Sequence, residues 1–212
     1  MFAMGLETPE FIALITALVV GLTVHEFAHA WSAYQLGDDT AYLQGRLTLD
    51  PRSHIDPIGA LMMFVAGFGW ARPVPINPYT LGRRGVLLVS LAGPVSNLLL
   101  ALVGALIYRS TAVAAGGGNI ISAFSLMFTY LNLLLAVFNM MPIAPLDGWK
   151  VLLGLVPPST AFRLQAFERY GMLVLLLLIF GDRLIPGVNQ SIFWMVLGTP
   201  VQILLSLFVG AF

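Results

Sequence analysis

Residues 11–34 form an apolar run long enough to cross a bilayer, and His25-Glu26-Phe27-Ala28-His29 lies inside it. In hydrocarbon a spanning segment must satisfy its own backbone polar groups, so this run predicts a helix. Ionisable side chains are expensive at that depth, and their default reading is functional. On a helix, residues four apart stand one above the other. His25 and His29 can therefore offer two imidazole nitrogens to one metal ion, with Glu26 in reach of a water bound to it. This is the H-E-x-x-H spacing that holds zinc and supplies a general base. The alternative is a hydrogen-bonded polar cluster that glues helices together.

A third ligand at the same depth would separate the two readings, and Asp147 is the candidate. It lies between Pro145 and Gly148, where a helix is already broken and a carboxylate can turn back toward the first span. Two histidines and one carboxylate leave a fourth position open on zinc, the catalytic rather than the structural pattern. Taken alone, Asp147-Gly148 reads as a turn pair. Asn139 comes shortly before it, and its amide could donate to a peptide carbonyl, to a developing oxyanion or to a neighbouring helix. His54 sits in a polar loop beside Asp50 and Asp56, either as a solvated loop histidine or as a gate or extra metal contact.

Composition sets the solvent. Of 212 residues, 58% are hydrophobic and 9% charged, against about 25% charged in a soluble domain. Lipid must cover most of the surface. The net charge is zero and no basic run exists, which argues against a nucleic-acid partner. With no cysteine, disulfides and thiolate chemistry are excluded. Glu7 and Glu10 stand where a signal peptide would be positive.

The expected fold is an all-α polytopic membrane protein with about five transmembrane helices: residues 11–34, 86–108, 120–141, 162–180 and 192–212. Residues 1–10 read as a short interfacial turn, and 109–119 and 181–189 as turns. Residues 58–70 are apolar but too short to span, which suits a re-entrant or interfacial segment. Residues 42–49 alternate weakly and read as a strand. Residues 70–78 carry prolines that forbid helix and favour an extended edge. Together these predict a small membrane-associated β-hairpin or sheet. Small residues at 92–97 allow close helix approach, and Pro94 there reads as a packing kink. One domain is expected over 1–212, with a core at 10–150 and C-terminal helices at 160–212.

With five spans, Arg46, Arg52, Arg72, Arg83, Arg84, Lys150, Arg163 and Arg169 share one side, and Arg109 and Arg183 the other. The positive-inside rule then places the N-terminus outside, the C-terminus in the cytoplasm and the polar cluster nearer the cytoplasmic face of the cell membrane.

His25-Glu26-x-x-His29 followed by Asn139-x-x-Pro142-x-x-x-x-Asp147-Gly148 resembles the site-2 protease family of intramembrane zinc metalloproteases. Ala92-Gly93-Pro94-x-x-Asn97 is similar to that family's middle core helix. The resemblance covers roughly residues 10–150. It implies one zinc ion per chain on His25, His29 and Asp147, with Glu26 as catalytic acid and base and Asn139 in the substrate cleft. The stretch at 70–77 resembles the family's membrane-inserted β-hairpin. An unwound strand of a single-pass transmembrane protein or peptide would add there, against Arg72, Val74 and Ile76. A bacterial inner membrane is implied too. The chain departs from larger relatives: the helix that precedes the motif in some of them, a PDZ insertion and a nucleotide-sensing domain are all absent, so a minimal member is expected. The rival classes are a transporter with an intramembrane proton or ion relay, and a catalytically inactive scaffold. A relay predicts ionisable groups spread along a path and an inverted repeat; here they cluster at one depth.

Overall fold

A computed structural model of the chain describes residues 8–66, 69–114, 119–181 and 192–210. The long helices are α1 (Thr8–Gln35), α4 (Pro78–Ala114) and α5 (Ile120–Asn139). Between α1 and α4 lie the short α2 (Thr40–Leu43), a 3-10 turn (Pro51–Ser53) and α3 (Pro57–Ala66). After α5 come α6 (Asp147–Leu155), α7 (Pro158–Gln165), a second 3-10 turn (Glu168–Tyr170), α8 (Gly171–Phe180) and α9 (Ile192–Val209).

Helix α1 stops where Gly37 takes φ +89°. The Asp38 N–H returns to the Ala33 carbonyl at 2.9 Å and the Gly37 N–H to Tyr34 at 3.0 Å, a left-handed glycine cap that satisfies the last carbonyls. Helix α5 starts with a reciprocal cap between Asn119 and Ser122. Gly82 is the non-helical residue within α4, and the backbone keeps helical angles through Pro94. Pro94 does not end the helix.

Helix α4 is central and packs on α1, α5 and α6. Lipid tails are as apolar as leucine, so helices in a membrane associate through close packing and polar contacts. The contacts here are small residues: Ala17, Ala101, Ala105 and Ala136 are at most 2% exposed. At Gly104 a Cβ would lie 2.6 Å from Thr129 Oγ1, and at Gly21 it would lie 2.9 Å from Asn132 Oδ1. Larger residues would hold the three helices apart. Leu99, Leu102 and Leu106 on α4 point outward and stay exposed, as lipid-facing residues do.

Among the described residues, three helices are long and apolar enough to cross a membrane: Phe11–Gln35, Pro78–Ala112 and Ile120–Asn139. The fourth expected span, 162–180, is divided into α7, a 3-10 turn and the ten-residue α8. Exposed Glu168 and Arg169 sit at the break, where charge opposes a continuous apolar helix. The last expected span is α9, whose apolar part, Phe193–Val209, is shorter than the other three. The turn placed at 1–10 is overtaken by α1 from Thr8 onward, and residues 1–7 lie outside the described ones. So do 115–118, most of the 181–189 turn, Arg183, and residues 67–68 of the short 58–70 segment, whose described part is largely α3.

No strand occurs among the described residues. Residues 42–49, expected as a strand, begin in α2 and continue as turns. Their alternation was weak, and Gly45 takes φ +67°, which turns the chain out of any strand. The expected hairpin is reduced to one antiparallel bridge, Ile55 with Ala71. Pro73 and Pro75 remove two of the N–H groups that a ladder would need.

Residues 70–77 form an extended strap whose backbone is held by buried side chains. The Arg72 N–H donates to His54 O at 2.8 Å. Arg46, only 4% exposed, donates from its guanidinium to the carbonyls of Arg72 and Pro73 at 2.5 and 3.2 Å. Asp38 accepts the Asn77 N–H at 2.6 Å and the Thr40 hydroxyl at 2.5 Å. Burial alone would push the Asp38 carboxyl up, but the hydrogen bonds from Thr40 and Asn77 outweigh it and hold it below the ordinary carboxylate range. A depressed carboxyl contributes stability above its unfolded value and loses it as pH falls through the folded one. Asp38→Ala should therefore lower the melting temperature in detergent at pH 7, by the equivalent of about 1–3 kcal/mol for donors left unpaired. The gap from wild type should narrow as the pH is lowered below about 4.

Candidate metal centre

Helix α1 carries His25, Glu26 and His29, each less than 9% exposed, on the side that faces α4 and the start of α6. Asp147 opens α6 and is 8% exposed. The chain reaches it through a tight loop after α5. Gly148 is required there, because a Cβ would run into the backbone of Met140 and Met141. The first turn of a helix also favours a negative group.

The two imidazoles are fixed from behind. The Nδ1–H of His29 donates to the carbonyl of Val89 on α4 at 2.7 Å. That of His25 donates to Asn97 Oδ1, also at 2.7 Å. Asn97 is oriented by its own amide, which donates to Gly21 O and to Asn132 Oδ1, both at 3.1 Å. A carbonyl can only accept, so both histidines carry their proton on Nδ1 and turn a lone pair on Nε2 inward. Those nitrogens lie 3.0 Å apart, and Asp147 Oδ2 lies 3.0 Å from one and 3.1 Å from the other.

Three acceptors in a near-equilateral triangle repel one another unless a cation lies among them. An imidazolium proton would relieve one edge, whereas a divalent ion bonds all three corners. The spacing is close to the edge of a tetrahedron with metal–ligand bonds of about 2.0–2.1 Å. The residues therefore fit zinc, with one position left for water or substrate, and the Nδ1 partners are the outer contacts that orient metal-ligating histidines. Gly93 makes room for the group: a Cβ there would lie 2.5 Å from His29 Nε2 and 2.6 Å from His25 Nε2.

Glu26 points to the same place from the next position on α1. Its Oε2 accepts the backbone N–H of Val74 in the strap at 3.1 Å, and the buried guanidinium of Arg46 lies within electrostatic range of it. A cavity of about 320 Å³ opens here. His25, Glu26, His29 and Asp147 line it together with Val74, Ile76 and Asn139. Asn139 donates to Leu135 O within its own helix at 3.0 Å rather than to another helix.

Two expected residues are not brought to the centre. The Arg72 side chain is exposed and does not line the cavity, and its backbone is already occupied by His54 and Arg46. His54 is fully buried, not solvated, and its Nε2 pairs with Thr48 O at 2.7 Å. It is absent from the metal-capable group, which among the described residues is His25, His29 and Asp147. Its backbone carbonyl supports the strap.

The sequence reads 92–97 as packing and gives no role at the centre to Val89 or Asn132, nor to Arg46 beyond its charge. A signal existed: Gly93 and Asn97 are four apart, and a lone asparagine inside a span needs a partner.

Three membrane-length helices among the described residues, with a buried two-histidine, one-carboxylate group able to hold a metal, are the features of a membrane-embedded metalloprotein. Comparison with known proteins narrows this. Over 208 residues the chain is 40% identical to a protein described as a candidate zinc metalloprotease, YwhC of Bacillus subtilis (strain 168), the match covering 94% of this chain and 92% of YwhC. It is 30% identical over 191 residues to Rip2 of Mycobacterium tuberculosis, described in the same words, covering 87% and 73%. MJ0611 of Methanocaldococcus jannaschii, again so described, is 28% identical over 154 residues, covering 67% and 70%. No family model matches the chain, and no solved structure matches it. The chain belongs to the zinc metalloprotease family of YwhC and Rip2.

Two substitutions test the centre. Gly93→Ala should displace the imidazoles and reduce the zinc retained by purified protein well below one ion per chain. Asn97→Ala should weaken zinc binding about 10–100-fold, read by competition with a chromogenic chelator.

Proposed function

We propose that the protein is an intramembrane zinc metalloprotease of the site-2 protease type, which cleaves within a transmembrane segment of a single-pass membrane protein or peptide. The observation that carries this reading is the convergence of His25, His29 and Asp147, with Glu26 beside them, on an apolar helix of membrane-spanning length. Zinc held by the three would supply a Lewis acid that acidifies water to a pKa of about 7 and polarises a peptide carbonyl. Glu26 takes the proton from the attacking water and returns it to the amine as the C–N bond breaks, as general base and then general acid. Asn139, in the cavity wall, is placed to hydrogen-bond the peptide once its amide leaves Leu135. Val74 and Ile76 give the same cavity an extended wall against which an unwound strand can lie.

The distribution of Arg and Lys supports an N-terminus outside and a centre nearer the cytoplasm of a bacterial inner membrane. Water then reaches the site from that side. The transporter alternative has less support, because the buried ionisable groups of the long helices gather at one point.

Wild type reconstituted with a labelled single-pass substrate should cleave it, and a chelator should stop the reaction. Glu26→Gln should keep its zinc and lose cleavage by a factor of about 100 or more, the usual scale for a general base. Full activity in that variant would sink the mechanism, and a wild type that holds no zinc would sink the metalloprotease reading.

A further inference from the structure

A hydroxyl inside a helix ordinarily finds an acceptor one turn back on its own backbone. Ser96, Ser125 and Thr129 do so, donating to Gly93, Ile121 and Ser125. Ser90 does not. Its side chain is 1% exposed and its Oγ has no hydrogen-bond partner. Among the described residues, buried side-chain atoms of Thr23, Arg46, His54 and Trp149 share that condition. Of these five residues, Ser90 alone lines the cavity that holds His25, Glu26 and His29.

The backbone adds a second group at the same residue. In an α-helix the carbonyl of residue 90 receives the N–H of residue 94, and residue 94 is proline, which has none. Ser90 thus carries an unpartnered donor beside a break in the helical hydrogen-bond ladder. Its neighbour Val89 holds His29. At Gly93, one turn along the same face of α4, a Cβ would meet both imidazoles.

A free donor is the complement of a peptide carbonyl. A helical peptide has already spent its N–H and C=O on itself, whereas an extended one offers both. We propose that Ser90 anchors the substrate backbone, its hydroxyl donating to a carbonyl of the unwound segment. This rests on the protease reading above and deepens it. The ligand class is an extended apolar peptide, gripped from α4 by its backbone and so with little regard for side-chain identity.

The test compares full-length wild type, Ser90→Ala and Ser90→Thr on the labelled single-pass substrate in proteoliposomes. Zinc content and melting temperature are measured on the same preparations. Removing an unpartnered buried hydroxyl should leave the melting temperature unchanged or raised, and the zinc content intact. The value of kcat/KM should fall about tenfold, mainly through KM, as for a binding contact made equally before and during reaction. Ser90→Thr, which keeps the hydroxyl, should recover most of it. An unchanged kcat/KM in Ser90→Ala overturns the proposal. So does a loss that comes with released zinc or a lowered melting temperature, which would make Ser90 a support of the fold or the centre. An inactive wild type overturns the protease reading itself, an outcome distinct from an active wild type matched by Ser90→Ala.

Discussion

Two hydrogen bonds set the chemistry of this protein: His29 Nδ1 to the Val89 carbonyl, and His25 Nδ1 to Asn97. Each fixes a tautomer, and together they force two lone pairs toward the Asp147 carboxylate. Without them the imidazoles could rotate or exchange protons, and the three groups would settle into an ordinary buried ion pair. With them the triangle is short of positive charge, and a divalent cation would complete it.

Those bonds depend on the register between α1 and α4, and the register depends on small residues. Gly21 lies against Asn132, Gly93 against the imidazoles, and Gly104 against Thr129. In an apolar medium such contacts do what burial from water does in a soluble protein. The Asn97–Asn132 pair shows the same economy. One asparagine orients a histidine because a second asparagine and a backbone carbonyl orient the first. A polar group at this depth is held in a satisfied network or it is a liability.

The parts of the site that follow from local periodicity were legible in the sequence. His25 and His29 meet because they are four apart on a helix, and Glu26 borders the same cavity because it is adjacent. Asp147 required one more step, a broken helix that lets a distant carboxylate return. The partners that fix the tautomers were not legible, since Val89 acts through its backbone and Asn97 through a crossing of helices far apart in sequence. The extended strap was legible from its prolines, but a hairpin was not the result, because those same prolines deprive a ladder of donors. His54 shows the opposite failure. A polar loop context suggested solvent, yet the fold buries the ring against Thr48. The span expected at 162–180 is divided in the fold, where the polar stretch around Glu168 and Arg169 precedes the apolar α8.

One contact links the strap to the chemistry. A backbone N–H serves one acceptor well at a time, and that of Val74 is given to Glu26. In the proposed reaction, a peptide carbonyl that captured this N–H would deprive the carboxylate of a partner as it accepts a proton. Under the proposed protease reading, docking of a strand would move this N–H from one acceptor oxygen to another, so that recognition and release of the base would be coupled.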